Sequence, residues 1–269
     1  MAISRADEIW ESSLLFPLLI KELLGYYVLH TIGKGAFGTV KLAKSEKYPD
    51  KVAIKIMDRK RMSSYDYQQC RLYELSILRN TRHPHIATCD EIYISQVGQI
   101  FIVMEAAAMD LTKKIRKLGR IPPDQARLWF SQLVSAMVYL HTKNIVHRDL
   151  KCGNVLLTAD DQVRLIDFGF GCYTAGFPDV RETLCGTLPY SAPELLMEKW
   201  YDAKKSDVWS LGVILYIMVT GSLPFKATKT KTLRVFSSNS QVPREKFTVE
   251  EPCRDLIHLH AVLQSLPTA

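Results

Sequence analysis

The stretch HRDLKCGNVLL, residues 147–157, places a carboxylate, an ammonium group and a side-chain amide close together. Asp149 could accept the proton of a hydroxyl group and orient the attacking oxygen. Lys151 could neutralise charge on a group in transfer, and the Asn154 oxygen is a hard ligand of the kind that Mg2+ prefers. The stretch therefore indicates proton transfer and metal-assisted chemistry on a charged substrate.

A second carboxylate of this kind lies in the tripeptide DFG, residues 167–169. Asp167 follows Asp149 by 18 positions (167 − 149), which leaves room for a loop and a short β-hairpin. Asp167 and Asn154 together could hold Mg2+, whereas either motif alone would be read as loop residues in water. In this order, the two motifs indicate metal-assisted phosphoryl transfer.

The segment IGKGAFGTV, residues 32–40, contains glycines that let a backbone turn tightly and approach phosphate oxygens. The pattern alone is weak, because dinucleotide-binding folds use a similar one. In those folds a helix follows the glycines, whereas TVKLAK here predicts a strand. We therefore expect a phosphate-covering loop between two strands.

The segment VAIK ends at Lys55, and Glu74 lies in the helical pattern RLYELSIL. A lysine at the end of an apolar strand usually only meets solvent. A carboxylate that reaches inward from a helix could instead hold the ammonium group against α- and β-phosphates. We expect Lys55 and Glu74 to form such an ion pair.

The elements that must position these residues change in type along the chain. Short β-like runs dominate residues 26–104, with one helical pattern among them, and apolar residues recur at helical spacing from Leu111 onward. We expect two unequal lobes, the first largely strand and the second largely helix. A short hinge at residues 105–110 is expected to join them.

Composition limits the class of protein. With 269 residues, of which 47% are hydrophobic and 23% charged, the chain is long enough for a sizeable core and is not a disordered protein. The net charge of +7 favours acidic or phosphorylated partners. Because the basic residues lack interleaved aromatics and a reader motif, we expect no nucleic-acid partner.

Cysteine spacing and the N-terminal segment address the compartment. The six cysteines include no CxxC pair, so neither a zinc site nor a disulfide framework is indicated and a reducing compartment fits. The apolar segment SSLLFPLLIKELL is too short to span a bilayer and lacks a basic signal-peptide region. We expect no transmembrane segment, a cytoplasmic or nuclear location, and a helix or turn that packs on the domain. An amphipathic contact with a membrane or a partner is the alternative for this segment.

Together these motifs resemble those of eukaryotic protein kinases. Lys151 and CGTLPYSAPE resemble the serine/threonine branch. Finer features resemble the testis-specific serine/threonine kinases of the calmodulin-dependent kinase group, namely YVLHTIGKGAFGTVKLAK, RHPHI, VMEAAA, HRDLKC and DFGFG. The resemblance implies an α+β, bilobal kinase fold, with a small, mainly antiparallel β N-lobe that has one key helix and a larger, mainly helical C-lobe. It also implies a protein serine/threonine kinase that uses ATP and Mg2+, with spermatogenesis as the process it serves.

The resemblance covers roughly residues 26–264. It implies an N-terminal extension at 1–25, an N-lobe at 26–104, a hinge at 105–110 and a C-lobe at 111–269. In the family a late helix continues into a further arginine, which pairs with the glutamate of APE, here Glu194, and into a final helix. Since the sequence ends at Ala269, where that arginine is expected, we expect a C-terminally short C-lobe. This departure leaves open a catalytically weak scaffold that binds nucleotide or partner proteins.

The resemblance also implies roles for individual residues. The expected catalytic residues are Asp149, Lys151, Lys55 and Glu74, and the expected Mg2+ ligands are Asn154 and Asp167. The expected ATP-binding residues are Ile32, Gly33, Lys34, Gly35, Ala36, Phe37, Gly38, Thr39, Val40, Ala53, Lys55, Met104, Glu105, Ala107 and Leu156. Among them Met104 is the expected gatekeeper. Asp207 is expected to brace the catalytic loop, and Leu78, His147 and Phe168 to stack in an apolar spine.

Regulation and substrate choice follow from four further positions. Arg148 is expected to receive a phosphate that an upstream kinase places on Thr183, and Thr187 to contact Asp149 and Lys151. Gly153 stands where kinases that select basic substrates commonly carry glutamate. We therefore expect weak selection of an arginine upstream of the target hydroxyl in the protein substrate.

Overall fold

The computed structural model describes residues 20–22, 24–35, 38–58, 72–95, 99–107, 109–175, 180–181, 185–197 and 200–225. Their contacts form two compact units. One lies within Met1–Tyr67 and Thr88–Ala106, and the other within Gln68–Ala87 and Ala107–Ala269. This division into two units does not test the lobe and hinge boundaries expected from the sequence, which stay a prediction.

The first unit is built around a five-stranded antiparallel sheet. Its strands are β1 (Tyr27–Gly35), β2 (Gly38–Lys44), β3 (Val52–Asp58), β4 (Cys89–Ile94) and β5 (Gln99–Glu105). The spatial order is β1-β2-β3-β5-β4, and every neighbouring pair is antiparallel. Valine and isoleucine recur in β3 and β5, as is typical of strands with a buried face.

One face of this sheet carries a hydrophobic core that includes residues before β1. Ile20 and Tyr26 pack there with Ile54 and Val103. Ile20 is only 2% exposed, and the Tyr26 hydroxyl donates a hydrogen bond of 2.6 Å to Glu91 Oε2. The end of the apolar N-terminal segment therefore packs on the domain, as its sequence predicts.

The second unit combines helices with short strands. Its helices are α1 (Leu72–Asn80), α2 (Leu111–Leu118), α3 (Pro123–Thr142), α4 (Pro193–Leu196) and α5 (Ala203–Thr220). Its strands are β6 (Met109–Asp110), β7 (Ile145–Val146), β8 (Val155–Leu157), β9 (Val163–Leu165), β10 (Cys172–Tyr173), β11 (Val180–Arg181) and β12 (Tyr201–Asp202). The strands pair as β6-β8-β9, β7-β10 and β11-β12. The α+β class predicted from the sequence is confirmed.

Helix α5 forms the buried centre of the second unit. Asp202 caps its N-terminus by accepting a hydrogen bond from the Lys205 backbone N–H at 3.0 Å, and Gly221 caps its C-terminus. Most of its residues are buried, which is typical of a helix that is apolar on every side. None of the helices in the described ranges is both long enough and apolar enough to cross a membrane.

Replacing Ile20 by alanine is expected to lower the free energy of unfolding by about 2–4 kcal/mol, because it leaves a cavity in the core of the sheet. Chemical denaturation of the wild type and the variant measures this loss. The exposed Glu22 offers a matched control, and Glu22→Ala should change the stability by less than about 0.5 kcal/mol. Equal stabilities of Ile20→Ala and wild type would contradict the packing of this segment.

Candidate active site

The first unit presents predicted nucleotide-binding side chains on one face of its sheet. Side chains alternate along a strand, and residues paired across neighbouring strands share a face. Val40 pairs with Lys55, and Ala53 pairs with Met104. These four residues therefore lie on the face opposite to the one that packs on Ile20. Lys55 and Met104 are half-buried there.

The glycines of the predicted phosphate loop are needed for different reasons. A Cβ at Gly38 would lie 2.0 Å from the Ile56 carbonyl oxygen, so only glycine lets β2 approach β3 at this point. A Cβ at Gly33 would make only ordinary contacts with Val40, the nearest at 3.8 Å. The fold thus requires glycine at 38, whereas at 33 it leaves space that a phosphate group could use.

The remaining ATP-binding candidates are divided between the two units. In the first unit they are the exposed Ile32 and Lys34, the buried Thr39 and the half-buried Glu105. In the second unit they are the half-buried Ala107 and Leu156. Ala36 and Phe37 lie outside the described residues, and Gly35 is described only as backbone of β1.

Lys55 belongs to the first unit and Glu74, on α1, to the second. Glu74 is 1% exposed, so its carboxylate is almost completely removed from water. Burial of a charged group is costly unless it is paired. The ion pair expected from the sequence between the two residues stays a prediction.

In the second unit, the loop that follows β7 is arranged around the carboxylate of Asp149, which is buried. Its Oδ2 accepts a hydrogen bond of 2.6 Å from Lys151 Nζ, and its Oδ1 accepts one of 2.6 Å from Thr187 Oγ1. Lys151 Nζ also donates to Thr187 Oγ1 at 3.0 Å. The structure therefore brings the predicted base, cation and hydroxyl group together in one network.

Asn154 links this carboxylate to the segment that carries Asp167. Its Nδ2 donates to the Asp149 backbone oxygen at 2.9 Å and to Asp149 Oδ2 at 3.3 Å. Its backbone oxygen accepts a hydrogen bond from Ile166 N at 3.0 Å. The short hairpin predicted between Asp149 and Asp167 is formed by β8 and β9. The two candidate metal ligands are thus connected through main-chain hydrogen bonds.

The donor set of Asn154 and Asp167 fits Mg2+. Because the Asn154 amide nitrogen is committed to Asp149, its Oδ1 remains to bind a cation. Within the described ranges, no cluster of three or more His, Cys, Asp or Glu side chains could hold a metal ion. Magnesium that binds together with substrate phosphates needs only one or two carboxylates from the protein. Asp167 could supply such a carboxylate.

A buried carboxylate on α5 organises the backbone of residues 147–154, the predicted catalytic loop. Asp207 Oδ2 accepts a hydrogen bond from His147 N, and Oδ1 accepts one from Arg148 N, both at 2.9 Å. Arg148 has a φ of 62°, and Asp167 has a φ of 66°. This left-handed conformation is uncommon outside glycine and must be held by its surroundings. At Arg148, Asp207 provides that support directly beside Asp149.

His147 joins the catalytic loop to the residues that precede Phe168. His147 Nδ1 accepts a hydrogen bond from Asp149 N at 3.2 Å, so Nε2 carries the proton that it donates to the Ile166 oxygen at 3.0 Å. The His147 and Phe168 rings are fully buried with centroids 5.1 Å apart. Leu78, on α1, is also buried, and its place in a stacked spine stays a prediction.

Arg148, the predicted receiver of a phosphate, is also held through its side chain. Its Nε donates to the Phe170 oxygen at 2.7 Å. Burial would lower the pKa of the Arg148 guanidinium, but the neighbouring Cys185 and Cys172 raise it, so the group stays charged. Thr183, the expected phosphate acceptor, lies outside the described residues.

The sequence reasoning missed His141, near the end of α3. Its Nε2 lies 2.9 Å from Asp207 Oδ2, the oxygen that also accepts the bond from His147 N. His141 therefore helps to fix the carboxylate that supports the loop. The available signal was a polar residue near the end of the otherwise apolar helical pattern ARLWFSQLVSAMVYLHT.

Comparison with known proteins identifies the family. The model of the protein kinase domain matches residues 26–264. The chain is 41% identical over 241 residues to testis-specific serine/threonine-protein kinase 2 of Mus musculus, which covers 87% of this chain and 67% of that protein. It is 39% identical over 241 residues to testis-specific serine/threonine-protein kinase 1 of Homo sapiens, and this match covers 87% of this chain and 65% of that protein. It is 38% identical over 248 residues to serine/threonine-protein kinase kin-29 of Caenorhabditis elegans, and this match covers 90% of this chain and 29% of that protein.

The chain thus spans about two thirds of the testis-specific relatives and 29% of the nematode protein. The matched residues include the strands of the glycine-rich segment, Lys55 and the whole network around Asp149. The resemblance stated from the motifs is therefore confirmed. The chain belongs to the protein kinase domain family, with its α+β, bilobal fold, and is similar to the testis-specific serine/threonine kinases.

Proposed function

We propose that this chain is an ATP-dependent protein kinase that transfers the γ-phosphate of Mg-ATP to serine or threonine hydroxyl groups of protein substrates. The observation that carries the proposal is the buried Asp149 carboxylate, bonded to Lys151 and Thr187. A carboxylate held in this way can accept a hydroxyl proton and orient the attacking oxygen. The serine/threonine kinases among the relatives support the choice of substrate.

When bound, Mg-ATP would supply the phosphoryl group and the metal charge that such a transfer needs. The protein contributes position and charge. Lys151 keeps an ammonium group 2.6 Å from Asp149 Oδ2, where it can stabilise negative charge on the group in transfer. Asn154 holds the Asp149 main chain and, with Asp167, offers oxygen ligands to the cation. In the first unit, Val40, Ala53 and Met104 offer an apolar surface for the adenine ring of ATP.

The cellular setting is proposed from the relatives. Two of them are named testis-specific kinases, which supports a role in spermatogenesis. Comparing transcript levels in testis with those in other tissues would check this role. A cytoplasmic or nuclear location and an upstream activating kinase stay predictions.

Asp149→Asn is expected to lower phosphate transfer by about 10²–10⁴-fold, because the amide cannot accept the hydroxyl proton. Transfer of radiolabelled phosphate from ATP to a general protein substrate measures this. The exposed Asp160 gives a control of the same chemistry, and Asp160→Asn should transfer at the wild-type rate. A thermal shift with ATP and Mg2+ covers binding. A wild type that shifts without any transfer would instead be a nucleotide-binding scaffold.

Phosphorylation of Thr183 is expected to raise activity severalfold, because a phosphate group adds about −1.5 to −2 charge that Arg148 could pair with. Turnover of the wild type and Thr183→Ala, each with its phosphorylation state verified by mass spectrometry, tests this. Thr183→Ser should keep the response, since it keeps a hydroxyl group. Equal turnover of Thr183→Ala and phosphorylated wild type would contradict it.

Gly153→Glu is expected to strengthen selection of an arginine upstream of the target hydroxyl by about ten- to a hundredfold, the equivalent of one charge-assisted hydrogen bond. The glutamate fits, because Gly153 is exposed and a Cβ there would meet only Thr112 Oγ1 at 3.9 Å. A peptide array on wild type and variant measures the preference. Gly153→Gln adds the same bulk without the charge and should not restore it. Strict arginine selection by the wild type would overturn the idea.

A further inference from the structure

Helix α1 contacts the strand that follows the DFG segment through one of its faces. Tyr73, Ser76 and Asn80 recur at intervals of three and four, so they lie along one side of the helix. Ser76 Oγ is 3.1 Å from the Tyr173 hydroxyl, and the Tyr73 and Tyr173 rings meet edge to face with centroids 6.0 Å apart. Asn80 Nδ2 donates to Ser76 Oγ at 3.3 Å. Tyr173 is thus bound to α1 by a hydroxyl contact and a ring contact.

The backbone next to Tyr173 is built for this approach. A Cβ at Gly171 would lie 3.1 Å from Ile77 Cδ1 and 3.1 Å from the Phe168 oxygen. Such distances are tight for a Cβ atom, and glycine, which has none, allows this segment to lie against α1. Gly171 N also donates to the Phe168 oxygen at 2.8 Å, which closes a turn directly after DFG.

Tyr173 is at the same time fixed to the strand that leads into the catalytic loop. It pairs with Ile145 in the β10-β7 ladder, and Cys172 pairs with Val146, the residue before His147. Thr174 N donates to the Asn144 oxygen at 2.8 Å. Tyr173 therefore connects α1, through β10 and β7, to the loop that carries Asp149.

Glu74 lies on another side of the same helix. It precedes Ser76 by two positions, which is about 200° around an α-helix. Any rotation of α1 that breaks the contact between Ser76 and Tyr173 would therefore also turn the buried Glu74 carboxylate. The contact between the two hydroxyl groups thus restrains the orientation of Glu74, which the sequence predicts to take part in nucleotide binding.

We propose that Tyr173 and Ser76 are a pair of positioning residues, which hold α1 and hence Glu74 in the setting required for nucleotide binding. The inference rests on the proposed kinase function. Neither residue is expected to touch ATP or substrate. Their effect is on the fraction of molecules whose Glu74 is correctly placed, and a lower competent fraction raises the apparent dissociation constant of a ligand in proportion.

Tyr173→Phe and Ser76→Ala are each expected to raise the KM for ATP by about three- to tenfold, the range for loss of one hydrogen bond, with kcat within about twofold. Phenylalanine keeps the ring contact with Tyr73 and removes only the hydroxyl group. The double variant should show no larger effect than either single one, because the two hydroxyl groups act through each other. Steady-state kinetics with ATP varied measures all three variants.

Tyr93→Phe is the matched control. Its hydroxyl group bonds Lys47 in the first unit, and its loss should leave the KM for ATP unchanged. An unchanged KM in Tyr173→Phe, or additive effects in the double variant, would overturn the proposal.

Amide hydrogen exchange measured by mass spectrometry separates this inference from the proposed function. Exchange in residues 72–80 should be faster in Tyr173→Phe and Ser76→Ala than in wild type and Tyr93→Phe, because the helix loses a restraint. If the wild type transfers no phosphate, the proposed function fails, and unchanged exchange in this peptide would then overturn the positioning pair as well. Faster exchange would support its structural part independently of activity.

Discussion

The two hydrogen bonds that Asp207 accepts from the backbone of His147 and Arg148 are the constraint on which the contacts around Asp149 depend. They satisfy the N–H groups of His147 and Arg148, and a buried donor such as His147 N would cost about 1–3 kcal/mol if it were unpaired. They also hold Arg148 in its left-handed conformation. With the backbone fixed there, the next side chain, Asp149, meets Lys151 and Thr187 at hydrogen-bonding distance.

In the first unit, the alternation of side chains along each strand separates a core face of the sheet from a second face. One face is closed by a core that includes Ile20 and Tyr26, so the segment before β1 contributes to folding. The other face presents Val40, Ala53 and Lys55 from adjacent strands. Because side chains alternate along a strand, the same run of residues in β3 serves both faces. Burial on one side thereby leaves the other side for the predicted nucleotide site.

Much of this arrangement was readable from the sequence, because period-2 and helical apolar patterns predict strands and helices directly. The spacing of Asp149 and Asp167 left room for the hairpin, and the shortness of the apolar N-terminal run favoured packing of its end on the domain. The structural reason for Gly38 could not be predicted from the sequence. Its motif indicates approach to phosphate, yet the structure shows that the glycine is required by the Ile56 carbonyl oxygen on a neighbouring strand. A motif identifies the residue type, and more than one contact can demand it.

Residue types and their order along the chain were enough to indicate the chemistry, since a base, a cation and oxygen ligands are properties of Asp149, Lys151, Asn154 and Asp167 themselves. Their supports were decided only by folding. His141 acts through Asp207, and Tyr173 meets Ser76 from a position 97 residues away. Hydrogen bonds act over about 3 Å and depend on direction, whereas a long separation along a chain sets only an upper limit on the distance in space. Those partners therefore become visible only when the helices and strands have packed.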